Sequence, residues 1–100
     1  MFIRENYADP NISLHVVASA IGFSPNYFST IFSQETGETF IEYLTKTRIE
    51  AAKKALRETD RKLSEIAFDI GYNEPQYFSY IFKKNTGLTP REYRMQEGDT

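Results

Sequence analysis

Leu14-His-Val-Val-Ala-Ser-Ala-Ile-Gly22 recurs further along the chain as Leu63-Ser-Glu-Ile-Ala-Phe-Asp-Ile-Gly71, with Leu, Ala, Ile and Gly unchanged. Tyr27-Phe-Ser through Leu44 then recurs as Tyr77-Phe-Ser through Arg94, with ten of eighteen positions identical. The offset is 49 in the first block and 50 in the second, so one residue has been added between Gly22-Phe-Ser-Pro-Asn-Tyr27 and its counterpart Gly71-Tyr-Asn-Glu-Pro-Gln-Tyr77. A turn accepts such an insertion far more easily than a helix interior does. Two copies of a unit this size indicate a duplicated supersecondary motif, since a solenoid generally stacks three or more repeats.

Each copy reads as helix, tight turn, helix. In the first, Ser13 is placed to cap a helix whose apolar residues Leu14, Val17, Ala18 and Ile21 recur at helical spacing. Gly22 supplies the left-handed residue that ends it. Ser24 caps a second helix with Pro25 at its first position, where a missing N–H is harmless. Phe28, Ile31 and Phe32 form its buried stripe and Gly37 stops it. The second copy repeats the pattern with Leu63, Ile66, Ala67, Ile70 and Gly71, then Pro75, Phe78, Ile81, Phe82 and Gly87. Tyr27 and Tyr77 flank these stripes and are assigned to packing.

Thr39-Phe-Ile-Glu42 and Thr89-Pro-Arg-Glu92 are both Thr-x-x-Glu capping boxes. The first opens a long helix over residues 40–58, roughly 27 Å at 1.5 Å per residue, with Tyr43, Leu44, Ile49, Ala52 and Leu56 on its apolar side. Short helices near 1–7 and 90–96 complete the pattern, and no stretch has the alternation of a strand. The expectation is an all-α fold: two helix-turn-helix subdomains, 1–39 and 59–96, joined by the linker helix 40–58 and followed by a tail, 97–100.

Composition excludes several functions. The chain has 100 residues, no cysteine and one histidine, which leaves no disulfide framework, thiolate metal site or histidine cluster. No metal or other cofactor is expected. His15 reads as a surface or cap residue, and no nucleophile–base constellation or Gly-rich phosphate loop can be named, so the chain does not read as an enzyme. No apolar run is long enough for a membrane span, and the N-terminus lacks a signal-peptide pattern, which together suggest a cytoplasmic domain.

The formal net charge of −2 opposes nucleic acid as a partner, because a phosphate backbone calls for positive charge. The average hides an asymmetry. Residues 1–45 sum to −4, with Arg4 alone against Glu5, Asp9, Glu35, Glu38 and Glu42, whereas residues 46–94 sum to +4. Local potential, not net charge, steers a polyanion.

Ile12-Ser-Leu, Gly22-Phe-Ser-Pro-Asn-Tyr-Phe-Ser29, Arg48-Ile49, Ile66-Ala67, Gly71-Tyr72, Tyr77-Phe-Ser79 and Thr86-Gly-Leu-Thr-Pro-Arg-Glu-Tyr-Arg94 together resemble the DNA-binding domain of the AraC/XylS family of bacterial transcription regulators. The resemblance runs from about residue 2 to residue 94. It implies double-stranded DNA as the partner, with the second helix of each helix-turn-helix in successive major grooves of one DNA face. Most members also carry a sensing, receiver or dimerisation domain, so the resemblance implies that this chain is a fragment of a longer regulator. Its opening residues are similar to versions fused to response-regulator receivers.

The family's base-contacting positions fall on Asn26, Ser29 and Thr30 in the first reading helix and on Gln76, Ser79 and Tyr80 in the second. Asn26 and Gln76 suit bidentate bonding to adenine, and no arginine occupies the positions of Thr30 and Tyr80, so an A·T-leaning site is expected. Backbone contacts are expected from Ser33, Arg48, Arg61, Lys62, Lys83, Lys84 and Arg91. Where relatives often carry paired lysines late in the first reading helix, this chain has Ser33-Gln34-Glu35, which shifts phosphate anchoring towards the second subdomain. The alternative is an interaction domain in which subdomain 1 contacts RNA polymerase through Glu35, Glu38 and Glu42, leaving only subdomain 2 on DNA.

Overall fold

The computed structural model describes residues 2–98, with side chains placed from Ile3 to Gln96. These residues form seven helices: α1 (Phe2–Asn6), α2 (Leu14–Ala20), α3 (Pro25–Thr36), α4 (Phe40–Glu58), α5 (Leu63–Asp69), α6 (Pro75–Thr86) and α7 (Pro90–Gly98). Among the described residues there is no strand, and no helix is long and apolar enough to cross a membrane. The last helix extends to Gly98, past the expected stop at 96, and residues 99–100 of the expected tail lie outside the described residues, as does Met1.

The helix ends are set by local side-chain chemistry. Ser13 Oγ accepts the Val16 N–H at 3.1 Å and Ser24 Oγ accepts the Tyr27 N–H at 3.2 Å, each satisfying an otherwise orphaned first-turn donor. Both capping boxes close. The Glu42 carboxylate accepts the Thr39 N–H at 2.9 Å while Thr39 Oγ1 accepts the Glu42 N–H at 3.1 Å. Glu92 and Thr89 do the same at 2.8 and 3.1 Å. Gly37 and Gly87 end α3 and α6 at φ of 77° and 85°, a region that costs other residues a Cβ clash. A further repeat joins these devices: Thr36 Oγ1 donates to the Phe32 carbonyl at 2.7 Å, and Thr86 Oγ1 to the Phe82 carbonyl at 2.8 Å. Each hydroxyl also accepts the N–H two residues on, from Glu38 and Leu88. The added residue falls in a turn, residues 70–74 between α5 and α6 against 21–24 between α2 and α3.

Two hydrophobic cores share α4. Phe40 and Leu44 at its N-terminal end join Ile3, Ile12, Val17, Ala18, Phe28 and Phe32. Ile49, Ala52 and Leu56 at its C-terminal end join Ile66, Ala67, Ile70, Tyr72, Phe78 and Phe82. Aromatic contacts bind each reading helix to its core: Phe32 meets Phe40 at 5.9 Å and Tyr43 at 5.4 Å, and Phe82 meets Tyr93 at 5.5 Å between centroids. The body is elongated, 46 × 23 × 21 Å, because two small cores lie end to end along one helix.

Three packing expectations need correction. Ile21 is 45% exposed, although its counterpart Ile70 is 3% exposed. Tyr27 and Tyr77 are 54% and 53% exposed. Their rings lie on the surface, Tyr27 edge-on to Phe23 at 5.0 Å and Tyr77 against Tyr72 at 5.9 Å.

Candidate nucleic-acid interface

Burying Phe28 and Phe32 on one side of α3 forces the opposite side outward. Asn26, Ser29, Thr30 and Ser33 are all exposed there, spaced i, i+3, i+4, i+7 and therefore on one face. Burying Phe78 and Phe82 does the same for α6, where Gln76, Tyr80 and Lys83 are exposed and Ser79 is partly covered. Thr30 Oγ1 donates to the Asn26 carbonyl at 3.1 Å. Its proton is engaged within the helix, so the hydroxyl faces outward as an acceptor.

The edge of α6 carries an aromatic ladder. Tyr72, Tyr77 and Tyr80 follow one another at 5.9 and 6.4 Å between centroids, and Lys84 Nζ lies 6.0 Å above the Tyr80 ring. Lys83 and Lys84 are exposed in the last turn of α6, where cations also complement the helix dipole. Lys83 lies near the α7 cap and its charge contributes to holding the Glu92 carboxyl below its ordinary value, after the larger effect of the Thr89 N–H and hydroxyl. Arg91 is exposed in the first turn of α7, where the dipole does not favour a cation.

Lys62 and Arg61 sit at the start of α5, both exposed. Arg61 is tethered, its Nε donating to Asp69 Oδ2 at 2.7 Å, and that bond raises the guanidinium's pKa. Two lysines of α4 are likewise engaged, Lys46 with Glu38 at 3.7 Å and Lys53 with Glu50 at 3.4 Å. Of the three carboxylates proposed for RNA polymerase, Glu38 makes that ion pair and Glu42 closes the capping box; the Thr39 N–H and then its hydroxyl hold Glu42 below the ordinary glutamate value.

Arg48 must be withdrawn as a phosphate anchor. It is 8% exposed. Its Nε donates to the Tyr7 carbonyl at 2.8 Å, its Nη2 to the Asp9 carbonyl at 3.0 Å, and its guanidinium lies 5.0 Å from the Tyr72 ring centre. Its place four residues after Leu44 and four before Ala52, in the middle of the buried side of α4, is the signal in the sequence that it folds inward. The half-exposed Tyr77 was missed as a surface residue because it adjoins Phe78 in sequence, and no periodicity argument separates the two.

The fold and the exposed faces of α3 and α6 define a DNA-binding domain of a transcription regulator, built from two helix-turn-helix units. Comparison with known proteins gives the family. A family profile described as a helix-turn-helix domain matches residues 17–96. The transcriptional regulatory protein YesN of Bacillus subtilis is 44% identical over 99 residues, covering 96% of this chain and 27% of YesN. The solved C-terminal domain of AraT, a response regulator from Geobacillus stearothermophilus, superposes with a TM-score of 0.94 at 38% identity, covering 95% of this chain and 78% of that one. The C-terminal domain of the two-component response regulator yesN from Fusobacterium nucleatum gives 0.91 at 36% identity, covering 93% and 90%. The chain belongs to the AraC/XylS family of helix-turn-helix transcription regulators. It spans about a quarter of the length of the Bacillus relative.

Proposed function

We propose that the chain binds double-stranded DNA at a specific sequence by seating α3 and α6 in successive major grooves of one DNA face. The observation that carries this reading is the pair of outward polar faces, Asn26–Ser29–Thr30 and Gln76–Ser79–Tyr80, held on separate cores that share one rigid helix. Successive grooves on one face are roughly 34 Å apart, and a body 46 Å long is sufficient to reach both. Those six residues read bases. Ser33, Lys62, Lys83, Lys84 and Arg91 hold phosphates, and Arg61 joins them where DNA outcompetes Asp69.

Because relatives with this domain include response regulators and proteins about four times its length, we assign the chain the role of DNA-reading part in a larger regulator. The remainder of that regulator would supply sensing, phosphoryl reception or dimerisation. Its work is recognition without catalysis, in the compartment that holds the DNA.

Protection of bound DNA tests the reading. Two protected major-groove segments, centred about 10 base pairs apart, are expected. A single protected segment would favour the alternative in which subdomain 1 contacts RNA polymerase and only α6 grips DNA.

A further inference from the structure

We propose that Arg48 is a positioning residue that fixes the spacing between the two reading helices and so sets the length of spacer DNA the domain accepts. The inference rests on the bipartite reading above. Apart from α4 itself, no helix among α1–α3 packs extensively on α5–α7 among the described residues. The two units meet instead at a joint, and Arg48 is at its centre.

The joint has contributions from both units. From the first come the carbonyls of Tyr7 and Asp9, in the loop after α1, which accept from Nε and Nη2. From the second comes the Tyr72 ring, stacked at 5.0 Å in the turn that leads into α6. Tyr7 itself packs against both cores. A guanidinium is planar and its donors form a fixed fork. Hydrogen bonds from its nitrogens hold the first unit, and the Tyr72 ring, with its centre 5.0 Å from the guanidinium carbon, holds the second. Gly71 closes the joint: a Cβ there would fall 2.8 Å from Arg48 Nη2 and 2.8 Å from the Tyr7 oxygen, closer than real side chains approach. The equivalent Gly22 has nothing within 4 Å, so this close approach belongs to the joint and not to the turn type.

The same turn connects onward to the reading face, since Tyr72 contacts Tyr77 and Tyr77 contacts Tyr80. A lysine at position 48 would retain the charge but could neither bridge two carbonyls in one plane nor stack on a ring. Such a variant keeps both reading helices and loses their fixed separation.

The test uses duplexes recovered from a random pool with the unaltered chain, remade with one base pair added to or removed from the spacer. The unaltered chain should lose at least roughly tenfold in affinity on each altered spacer, because one base pair displaces and rotates the second half-site. Arg48→Lys should bind the original duplex more weakly and discriminate among the three spacers by no more than about threefold, with its salt dependence unchanged. Were Arg48 a phosphate contact instead, Arg48→Met, which removes the charge that Arg48→Lys keeps, would lower the slope of log affinity against log salt by about 1, which overturns the proposal. Strict spacing in both proteins overturns it as well. An unaltered chain indifferent to spacing overturns the bipartite reading itself, a distinguishable result. Should Arg48→Lys lack the helical spectrum of the original, Tyr72→Leu removes the second unit's contact with the guanidinium and must relax the spacing. Loss of folding in both shows that the joint serves stability, and the proposal fails.

Discussion

Arg94, on α7, donates from Nη1 to the backbone carbonyl of Arg61 at 2.8 Å. Its other two nitrogens, Nε and Nη2, donate to the carbonyls of Leu56 and Thr59 at 3.2 and 3.1 Å. The last carbonyls of a helix have no partner within it, and here one side chain gathers those around the end of α4 and ties α7 to them. Arg94→Met keeps the aliphatic stem and removes all three bonds. The carbonyls are partly open to water, so the expected loss is about 2 kcal/mol. Thermal unfolding followed by circular dichroism should show a midpoint lowered by roughly 10 °C; a change of only a degree or two would show that water replaces the guanidinium at no cost.

The two capping boxes make stability depend on acid. Glu42 and Glu92 are both held below the ordinary 4.5, first by the threonine N–H each accepts and then by the threonine hydroxyl. A carboxyl with a lowered native pKa binds fewer protons folded than unfolded. Its contribution is complete above 4.5 and is lost as pH falls through the native value. The melting midpoint should therefore decline from about pH 5 downward. In the doubly substituted Glu42→Gln, Glu92→Gln chain that decline should be shallower, because an amide does not titrate. Identical slopes in the two proteins would exclude the boxes as its source.

Ile21 and Ile70 occupy equivalent places in the repeat, and only one is buried. Ile70→Ala should cost about 2–5 kcal/mol, the usual range for opening a cavity in a core, whereas Ile21→Ala should change stability by less than about 0.5 kcal/mol. Denaturant titration of both variants decides this, and equal costs would contradict the packing. The pair also shows where sequence reasoning ends. Caps, capping boxes, the left-handed glycines and the buried stripes depend on neighbours within a few residues, so their patterns were readable, as was the shared helix over 40–58. Which turn is covered depends on contact between units. The second turn packs on the Arg48 joint, whereas a Cβ at Gly22 in the first would meet nothing within 4 Å, though the repeat makes them look alike. The same blindness turned Arg48 into an expected phosphate anchor. At the reading faces, sequence placed Asn26, Ser29, Thr30, Gln76 and Tyr80 on the surface, since the positions opposite a buried stripe follow from helix geometry alone.

Phosphate anchoring should be lopsided. Of the five exposed cations of residues 61–91, Arg61 is held by Asp69, and a slope of log affinity against log salt of roughly −4 follows if the other four engage. Lys83 and Lys84 supply half of them. The chain with both replaced by alanine should show a slope reduced by about 2, with affinity falling similarly on specific and random duplexes. Alanine at Ser33 and Gln34 should leave the slope unchanged, since neither residue carries charge. Equal effects from the two double variants would mean that both units grip the backbone alike.

Base reading should depend on different residues and leave that slope alone. Gln76, exposed in the first turn of α6, has the amide needed to accept from adenine N6 and donate to N7. Gln76→Ala should weaken the best site by about 1–3 kcal/mol and erase preference at a single position, while random DNA is bound as before. Thr30 gives a sharper case. With its proton on the Asn26 carbonyl its oxygen accepts, and among major-groove base edges the amino groups of adenine and cytosine are the donors. Thr30→Val, nearly identical in shape, should lose affinity only for sites with an amino group at that position. Selection with the unaltered chain should return half-sites rich in A·T pairs, because no exposed arginine stands on either reading face to bind guanine. Recovery of G-rich half-sites would show that bases are read by residues other than these six.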